Sequence, residues 1–317
     1  MAAALGLAER GRGRTAPNPN VGCLIVRDGR VAGRGWTQPG GRPHAEAMAL
    51  AEAGEAAAGA TIYVTLEPCA HASARGPACA DLLVASQPAR VVMALGDPDP
   101  RTNGAGVARL EGAGIAVSTG IRAEEARRSM AGFLTRQRLG RPHVTLKLAT
   151  SLDGQIALKD GSSRWITGEA ARAHAHLERA RAELIVVGGG TLAADAPRLD
   201  VRLPGLADRS PRRALLTSGT APEGWLTLAA PDAIRAVART DHGLVEGGAE
   251  CAAAFLAADL VDRLIFYRAP ILIGSGKAAL GDIGLANIGD AHGRWLLMET
   301  RMLGSDRLEV YERARER

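Results

Sequence analysis

His44-Ala45-Glu46, read together with Pro68-Cys69 and Cys79, places one imidazole, two thiols and a spare carboxylate in the first third of the chain. Zinc takes thiolate and imidazole donors in a tetrahedral shell, and a catalytic site keeps the fourth position for water. Three such ligands beside a glutamate that is not a ligand are what a zinc-activated water requires. The metal lowers the pKa of that water to about 7, and the glutamate can carry protons between it and a leaving group. A structural zinc site would instead need a fourth protein ligand, which His71 could supply. His44 alone would read as an ordinary hydrogen-bonded histidine; two spaced cysteines and Glu46 change that.

The pattern of zinc nucleobase deaminases is H-x-E followed by P-C-x-x-C. Here His-Ala-Glu and Glu-Pro-Cys are both present, but the second cysteine follows after nine residues. The site reads as that of a zinc deaminase of an unusual branch. The elements that must position it alternate. Residues 21–26 form a short apolar run before the turn Asp28-Gly29, 45–58 favour helix, and 61–66 are β-branched and apolar. Helix is expected again near 78–86, strand at 90–95, helix at 104–112, and a short strand at 115–117. This alternation predicts an α/β sheet with helices packed on it. His44 and Cys69 are both expected at strand-to-helix junctions, where a helix N-terminus would stabilise a thiolate.

Residues 123–138 read as one charged helix, and Leu139-Gly140-Arg141-Pro142 breaks the chain, so domains are expected at 1–140 and 141–317. A second α/β series follows: strand at 143–149, helix at 169–182, strand at 184–187 running into Gly188-Gly189-Gly190. Strands are also expected at 213–217 and around Leu244-Val245, a helix at 252–258, and a long strand at 263–273 bent at Pro270. The 317 residues suffice for two cores. Aromatics are scarce, at 3%, while alanine and glycine abound, which predicts close packing through small side chains. A net charge of +5 without a basic block suits phosphorylated substrates at least as well as nucleic acid. No run approaches a membrane span, the first ten residues lack the order of a signal peptide, and four cysteines, two of them spent on zinc, argue for the cytoplasm. Cys23 and Cys251 read as core thiols.

The chain resembles the bifunctional riboflavin-biosynthesis deaminase–reductase family over nearly its whole length. In the first half the matching residues are Pro17-Asn18-Pro19-Asn20-Val21-Gly22-Cys23, His44-Ala45-Glu46, and Thr65-Leu66-Glu67-Pro68-Cys69 with His71 and Cys79. In the second they are Leu146-Lys147-Leu148, Ser151-Leu152-Asp153-Gly154, Trp165-Ile166-Thr167, Gly190-Thr191 with Asp195, Pro197, Leu199 and Arg202, and Glu246-Gly247-Gly248. The resemblance implies a cytidine-deaminase-like N-terminal domain and a dihydrofolate-reductase-like C-terminal domain. It implies deamination of 2,5-diamino-6-ribosylamino-4(3H)-pyrimidinone 5′-phosphate, then NADPH-dependent reduction of the ribosyl chain to ribityl. Position by position, it implies His44, Cys69 and Cys79 as zinc ligands, Glu46 as proton shuttle, and Asn18 and His71 as residues that hold the pyrimidine. In the reductase it implies substrate contacts from Ser163, Arg179, Leu199, Arg202 and Glu246. The cofactor side would be Ala149, Trp165, Thr191, Asp195, Ser218, Gly247 and Gly248, with Asp195 also catalytic. A homo-oligomer, a dimer by preference, is expected, and neither nucleic acid nor a membrane as partner.

Three departures stand out: the Cys69–Cys79 interval is one residue longer than usual in the family, Thr37 replaces a frequent histidine near the deaminase pocket, and Ala196 follows Asp195 where a second aspartate is common. Which of Ala74 and Arg75 faces the substrate stays open. So does Lys147, as phosphate partner or strand-edge charge, and the glycines at 188–190, as phosphate cradle or plain strand end. Arg179 and Arg202 without the resemblance would read as surface charges. A nucleic-acid base deaminase would need stacking aromatics and a basic face in its second half, and aromatics are few there. A zinc-stabilised binding protein would have no use for Glu46.

Overall fold

The computed structural model describes residues 1–73 and 75–315, and the chain divides into two units, Met1–Gly140 and Arg141–Arg317. The first runs α1 (Ala2–Ala8), β1 (Gly22–Arg27), β2 (Arg30–Trp36), α2 (Ala45–Ala53), β3 (Thr61–Val64), α3 (Cys79–Ala85), β4 (Arg90–Met93), α4 (Ala105–Gly112), β5 (Ala116–Ser118), α5 (Ala123–Ser129) and α6 (Ala131–Leu139). Its sheet has the order β2-β1-β3-β4-β5, antiparallel through β1 and parallel from β3 to β5.

The small residues have a definite use here. A Cβ on Gly22 would lie 1.9 Å from the Ala4 carbonyl oxygen, on Gly33 2.1 Å from that of Ala49, and on Gly35 1.9 Å from that of Ala45. Helices α1 and α2 thus lie backbone against backbone on opposite faces of β1 and β2. Gly33 and Gly35 pair with Ile25 and Cys23, so these four residues share the face under α2, as the period-2 alternation of a strand requires. Strand β2 and helix α1 were not expected from the sequence. Arg-Val-Ala-Gly-Arg-Gly-Trp is poor in β-formers, and pairing with β1 overrides its propensity. The helix expected over 123–138 is two helices, because fully buried Met130 packs into the core with Ala126 and Phe133 at a non-helical φ of −100°.

The second unit comprises β6 (His143–Thr150), β7 (Gln155–Ala157), α7 (Glu169–Ala180), β8 (Leu184–Gly188), α8 (Gly189–Asp195), β9 (Arg212–Leu216), β10 (Leu226–Leu228), β11 (His242–Val245), α9 (Ala249–Ala257), β12 (Val261–Arg268), β13 (Lys277–Ala278), β14 (Trp295–Leu303) and β15 (Asp306–Arg313). The main sheet is ordered β10-β9-β8-β11-β6-β12-β15-β14. It is parallel from β10 to β12, with the antiparallel pair β15-β14 at one edge. The strand expected over 263–273 stops at Arg268, since Pro270 has no amide to continue the ladder. The segment beyond it is held instead by Asp153, whose carboxylate accepts the Gly274 amide at 2.7 Å and the Ile273 amide at 3.2 Å. The Ser151-Leu152-Asp153-Gly154 motif is thus a turn that ties a loop. The β14-β15 hairpin went unread because its strands carry many charges, although Asp306, Leu308 and Val310 alternate onto the buried side.

Just before β8, partly buried Glu183 accepts the amides of Asp241 (3.1 Å) and His242 (2.7 Å). Burial and the neighbouring Asp241 push its carboxyl up to about 7, against those hydrogen bonds. A folded-state pKa above the unfolded one contributes stability below pH 4.5 that is lost as pH rises through 7. Glu183→Gln keeps the acceptor without the charge. It should stabilise the full chain at pH 8, by on the order of 3 kcal/mol at most, and leave it unchanged near pH 4.5. Urea denaturation at the two pH values checks this.

Candidate active sites

In the first unit three elements converge. His44 is the N-cap residue of α2, Cys79 opens α3, and Cys69 lies in the segment that follows β3. The expectation that Cys69 itself sits at a helix start is therefore corrected: Cys79 does, and its backbone N–H donates to Cys69 Sγ at 3.3 Å. The helix terminus stabilises the Cys69 thiolate from across the loop. His44 Nδ1 lies 3.3 Å from Cys79 Sγ and 3.6 Å from Cys69 Sγ. Ligands at zinc–nitrogen and zinc–sulfur bond lengths around a tetrahedral ion stand about 3.5 Å apart, so this donor set fits zinc without rearrangement. The thiol of Cys79 donates to Cys69, which with the Cys79 amide and His44 holds Cys69 down to about 4 and raises Cys79. The fourth side chain is Glu46, buried two residues past His44. Burial raises its pKa, with Cys69 adding and His44 opposing.

Glu67 of Glu-Pro-Cys has a structural task. Its carboxylate accepts four amides, those of Asp97 (3.2 Å), Gly104 (3.0 Å), Gly106 (2.9 Å) and Val107 (3.1 Å). It thereby caps α4 and fastens the segment carrying Cys69. Gly106 is required at that contact, because a Cβ there would lie 2.3 Å from the Pro68 carbonyl oxygen. Asn18 reaches His44, its amide nitrogen 3.2 Å from Nε2, and His71 Nδ1 meets the Thr102 hydroxyl at 3.4 Å. Thr37 is buried and accepts the Val21 amide at 3.0 Å, so it stitches the strand rather than lining the pocket. The cleft beside the cysteines, about 290 Å³, is lined by Arg42, His44, Ala47, Arg75 and Cys79 among others. Ala74 lies outside the described residues. Arg42, two residues before His44, went unread because a lone arginine in a loop carries no pattern.

In the second unit a cleft of about 830 Å³ opens at the carboxyl ends of the parallel strands. Ala149, Ser163, Trp165, Arg179, Thr191, Asp195, Arg202, Glu246, Gly247 and Gly248 all line it. The glycines at 188–190 and at 247–248 come together there, joined by the Gly248 amide donating to the Thr191 hydroxyl at 2.9 Å. A Cβ on Gly247 would lie 2.4 Å from that of Cys251, so a glycine is what lets this turn pack against the start of α9. Trp165 is 66% exposed, with the guanidinium of Arg172 5.0 Å from its ring centre. The volume, the glycine turns and the open tryptophan fit a nicotinamide dinucleotide beside a small substrate.

Two residues of the expected set are not brought into this cleft. The Leu199 side chain is buried with Ile185, Val187, Leu215 and Leu244, and exposed Ser218 lies two residues past β9, of which only Leu216 lines the cleft. Arg179 does line it, but its Nε and one terminal nitrogen bind Glu246 at 2.7 and 2.9 Å, and the other donates to the Asp200 carbonyl at 3.1 Å. Lys147 Nζ stands 3.6 Å from the same glutamate, on the central strand β6, so it is no edge charge. Burial would raise the Glu246 carboxyl, but Lys147 and Arg179 outweigh it and hold the group at about 2. Asp195 ends α8, and its carboxylate lies 3.5 Å from the Arg164 guanidinium. Sequence reading missed this buried ion-pair cluster and His176, although His176 and Arg179, one helical turn apart on α7, offered a signal.

These features define the class: a zinc-dependent pyrimidine deaminase domain followed by a nucleotide-dependent reductase domain. A family model for the cytidine and deoxycytidylate deaminase zinc-binding region matches residues 1–95, and one for the RibD C-terminal domain matches residues 142–308. The chain belongs to the RibD family of riboflavin-biosynthesis proteins, the bifunctional deaminase–reductases. It is 40% identical to the riboflavin biosynthesis protein RibD of Escherichia coli, over 96% of each chain. Among solved structures it is similar to Acinetobacter baumannii RibD (TM-score 0.87, 36% identity, 99% of this chain and 98% of that one). It is likewise similar to the diaminohydroxyphosphoribosylaminopyrimidine deaminase/5-amino-6-(5-phosphoribosylamino)uracil reductase of Thermotoga maritima (TM-score 0.88, 30% identity, 99% and 97%).

The donor geometry yields a direct test. Cys79→Ser replaces a thiolate by a poorer zinc donor and should strongly weaken zinc retention in chelator competition. Full metal occupancy in that variant would remove Cys79 from the ligand set.

Proposed function

We propose that residues 1–140 deaminate 2,5-diamino-6-ribosylamino-4(3H)-pyrimidinone 5′-phosphate and that residues 141–317 reduce the ribosyl chain of the product with NADPH. The observation that carries the first half is the buried Glu46 beside the His44, Cys69 and Cys79 donors. Zinc held by those three residues supplies the Lewis acidity that hydrolysis of an aromatic amine needs. Glu46 takes up a proton at its carboxylate and returns it to the departing amino nitrogen. Arg42 and Arg75, at the rim of the cleft, offer charge for the 5′-phosphate.

In the second half the glycines at 188–190 and 247–248 would hold the phosphates of NADPH, with Trp165 and Asp195 lining the same cleft, and the bound cofactor would supply hydride. Asp195 is the proposed proton-handling group. Arg202 carries the substrate phosphate: arginine meets two oxygens of a dianion at once, and Arg202 lines the cleft at a half-exposed position beside His176 (3.3 Å). Arg179, whose nitrogens are engaged by Glu246 and Asp200, acts by holding Glu246 and through its charge. A homodimer in the cytoplasm goes with this reading; exposed Leu296, Leu297 and Met302 on edge strand β14 support self-association, and among the described residues no helix is long and apolar enough to cross a membrane.

Glu46→Gln should retain zinc and lose ammonia release by at least ~10²-fold, while NADPH oxidation with the deaminated substrate is unchanged. Undiminished ammonia release from the metal-replete variant would overturn the assignment. Arg202→Ala should raise the reductase KM by about 10- to 100-fold, equivalent to one charged hydrogen bond, with NADPH affinity little altered. Steady-state kinetics at saturating NADPH decides; a weakened cofactor with an unchanged substrate KM would exchange the two subsites.

A further inference from the structure

We infer that Asn18 is the outer partner of the His44 ring, its side-chain carbonyl accepting the Nε2–H and thereby keeping Nδ1 turned to the two sulfurs. The inference rests on the zinc-deaminase reading above. An imidazole that ligates through Nδ1 must carry its hydrogen on Nε2. In this chain Nδ1 faces Cys79 and Cys69 at 3.3 and 3.6 Å, and the group facing Nε2, at 3.2 Å, is the Asn18 amide. A donor opposite the Nε2–H would be repulsive. The two ends of an amide are interchangeable by rotation, so the carbonyl oxygen is the end that faces the ring when metal is held.

The amide has a built seat. Gly41 stands at φ +89°, and a Cβ there would lie 2.5 Å from both Cγ and Oδ1 of Asn18. The Asn18 backbone is tied locally, its main-chain N–H donating to the Thr15 carbonyl at 2.9 Å. His44 itself is placed by α2, which lies in backbone contact with Gly35. Both partners of the contact are therefore fixed by independent parts of the fold. A ring held from its far nitrogen loses the freedom to turn away from the thiolates, and such outer contacts typically change metal affinity 10- to 100-fold. The role is one of positioning and is compatible with the NH₂ end of the same amide meeting substrate.

The test compares full-length wild type, Asn18→Ala and Asn18→Asp in zinc competition against a chelator, with ammonia release measured alongside. The alanine variant should bind zinc at least ~10-fold more weakly. The aspartate variant, which still accepts the Nε2–H but has no NH₂ to donate, should keep wild-type zinc affinity. Asn18→Ser, too short to reach the ring, repeats the truncation should the alanine variant fail to fold by circular dichroism. Unchanged zinc affinity in the truncated variants overturns the inference alone. So does an aspartate variant that loses zinc as the alanine variant does. A wild-type chain that takes up no zinc overturns the deaminase reading and the inference with it.

Discussion

The deaminase half depends on how closely a helix backbone can approach a strand. Helix α2 rests on β2 where Gly33 and Gly35 leave no side chain between them, with the Ala45 carbonyl against Gly35. His44 and Glu46 flank that contact residue. A Cβ at 1.9 Å from a carbonyl oxygen cannot be accommodated, so any larger residue would lift the start of α2 off the sheet. The imidazole would then leave the thiols, and Glu46 would leave the burial that raises its pKa. The alanine- and glycine-rich composition is thus a condition of the chemistry. It lets the donor-bearing end of a helix sit at the sheet surface while the neighbouring Glu46 carboxylate stays buried.

A different constraint organises the reductase half. Charge is buried at the floor of its cleft, where Glu246 receives two hydrogen bonds from Arg179 and faces Lys147. Breaking such a pair by removing one partner is costly, because it leaves the other charge buried and uncompensated. The cluster links β6, α7 and the turn after β11, and so fixes the elements around the cleft relative to one another. The glycine turns at 188–190 and 247–248 complete the wall opposite, where the Thr191–Gly248 hydrogen bond joins them. Rigid walls made of backbone and a floor made of paired charge leave Arg202, Trp165 and Asp195 as the more exposed groups around the opening.

The second thiol shows how the two levels of description meet. Nine residues separate Cys69 from Cys79 in the chain, and the longer interval is absorbed as loop. What matters physically is that Cys79 begins α3, so that its amide points at Cys69 Sγ. Glu67 performs the corresponding task on the other side, where its carboxylate gathers amides from the segment at 97–107. The loop length can vary because neither anchor lies within it.

Much was determined by the sequence alone: the donor types His44, Cys69 and Cys79, the neighbouring Glu46, the two α/β series, and the family to which their order belongs. These follow from chemistry and periodicity that are local, since a thiol is a thiol wherever it is placed and an apolar run of five residues makes a strand. Tertiary structure alone decided that Thr37 stitches β1 rather than lining the pocket, and that Arg179 is bound to Glu246. It also decided that Leu199 is core, that Met130 breaks a helix, and that Arg-Val-Ala-Gly-Arg-Gly-Trp is a strand. Each of these depends on a partner outside its own segment: Val21 for Thr37, Glu246 for Arg179, the Ile185 cluster for Leu199, the core with Ile25, Val64 and Met93 for Met130, and β1 for the strand. A side chain's type limits what it can bind. Which of those bonds it makes is set by what the fold brings within a few ångströms, because hydrogen bonds, ion pairs and packing all act only at that range.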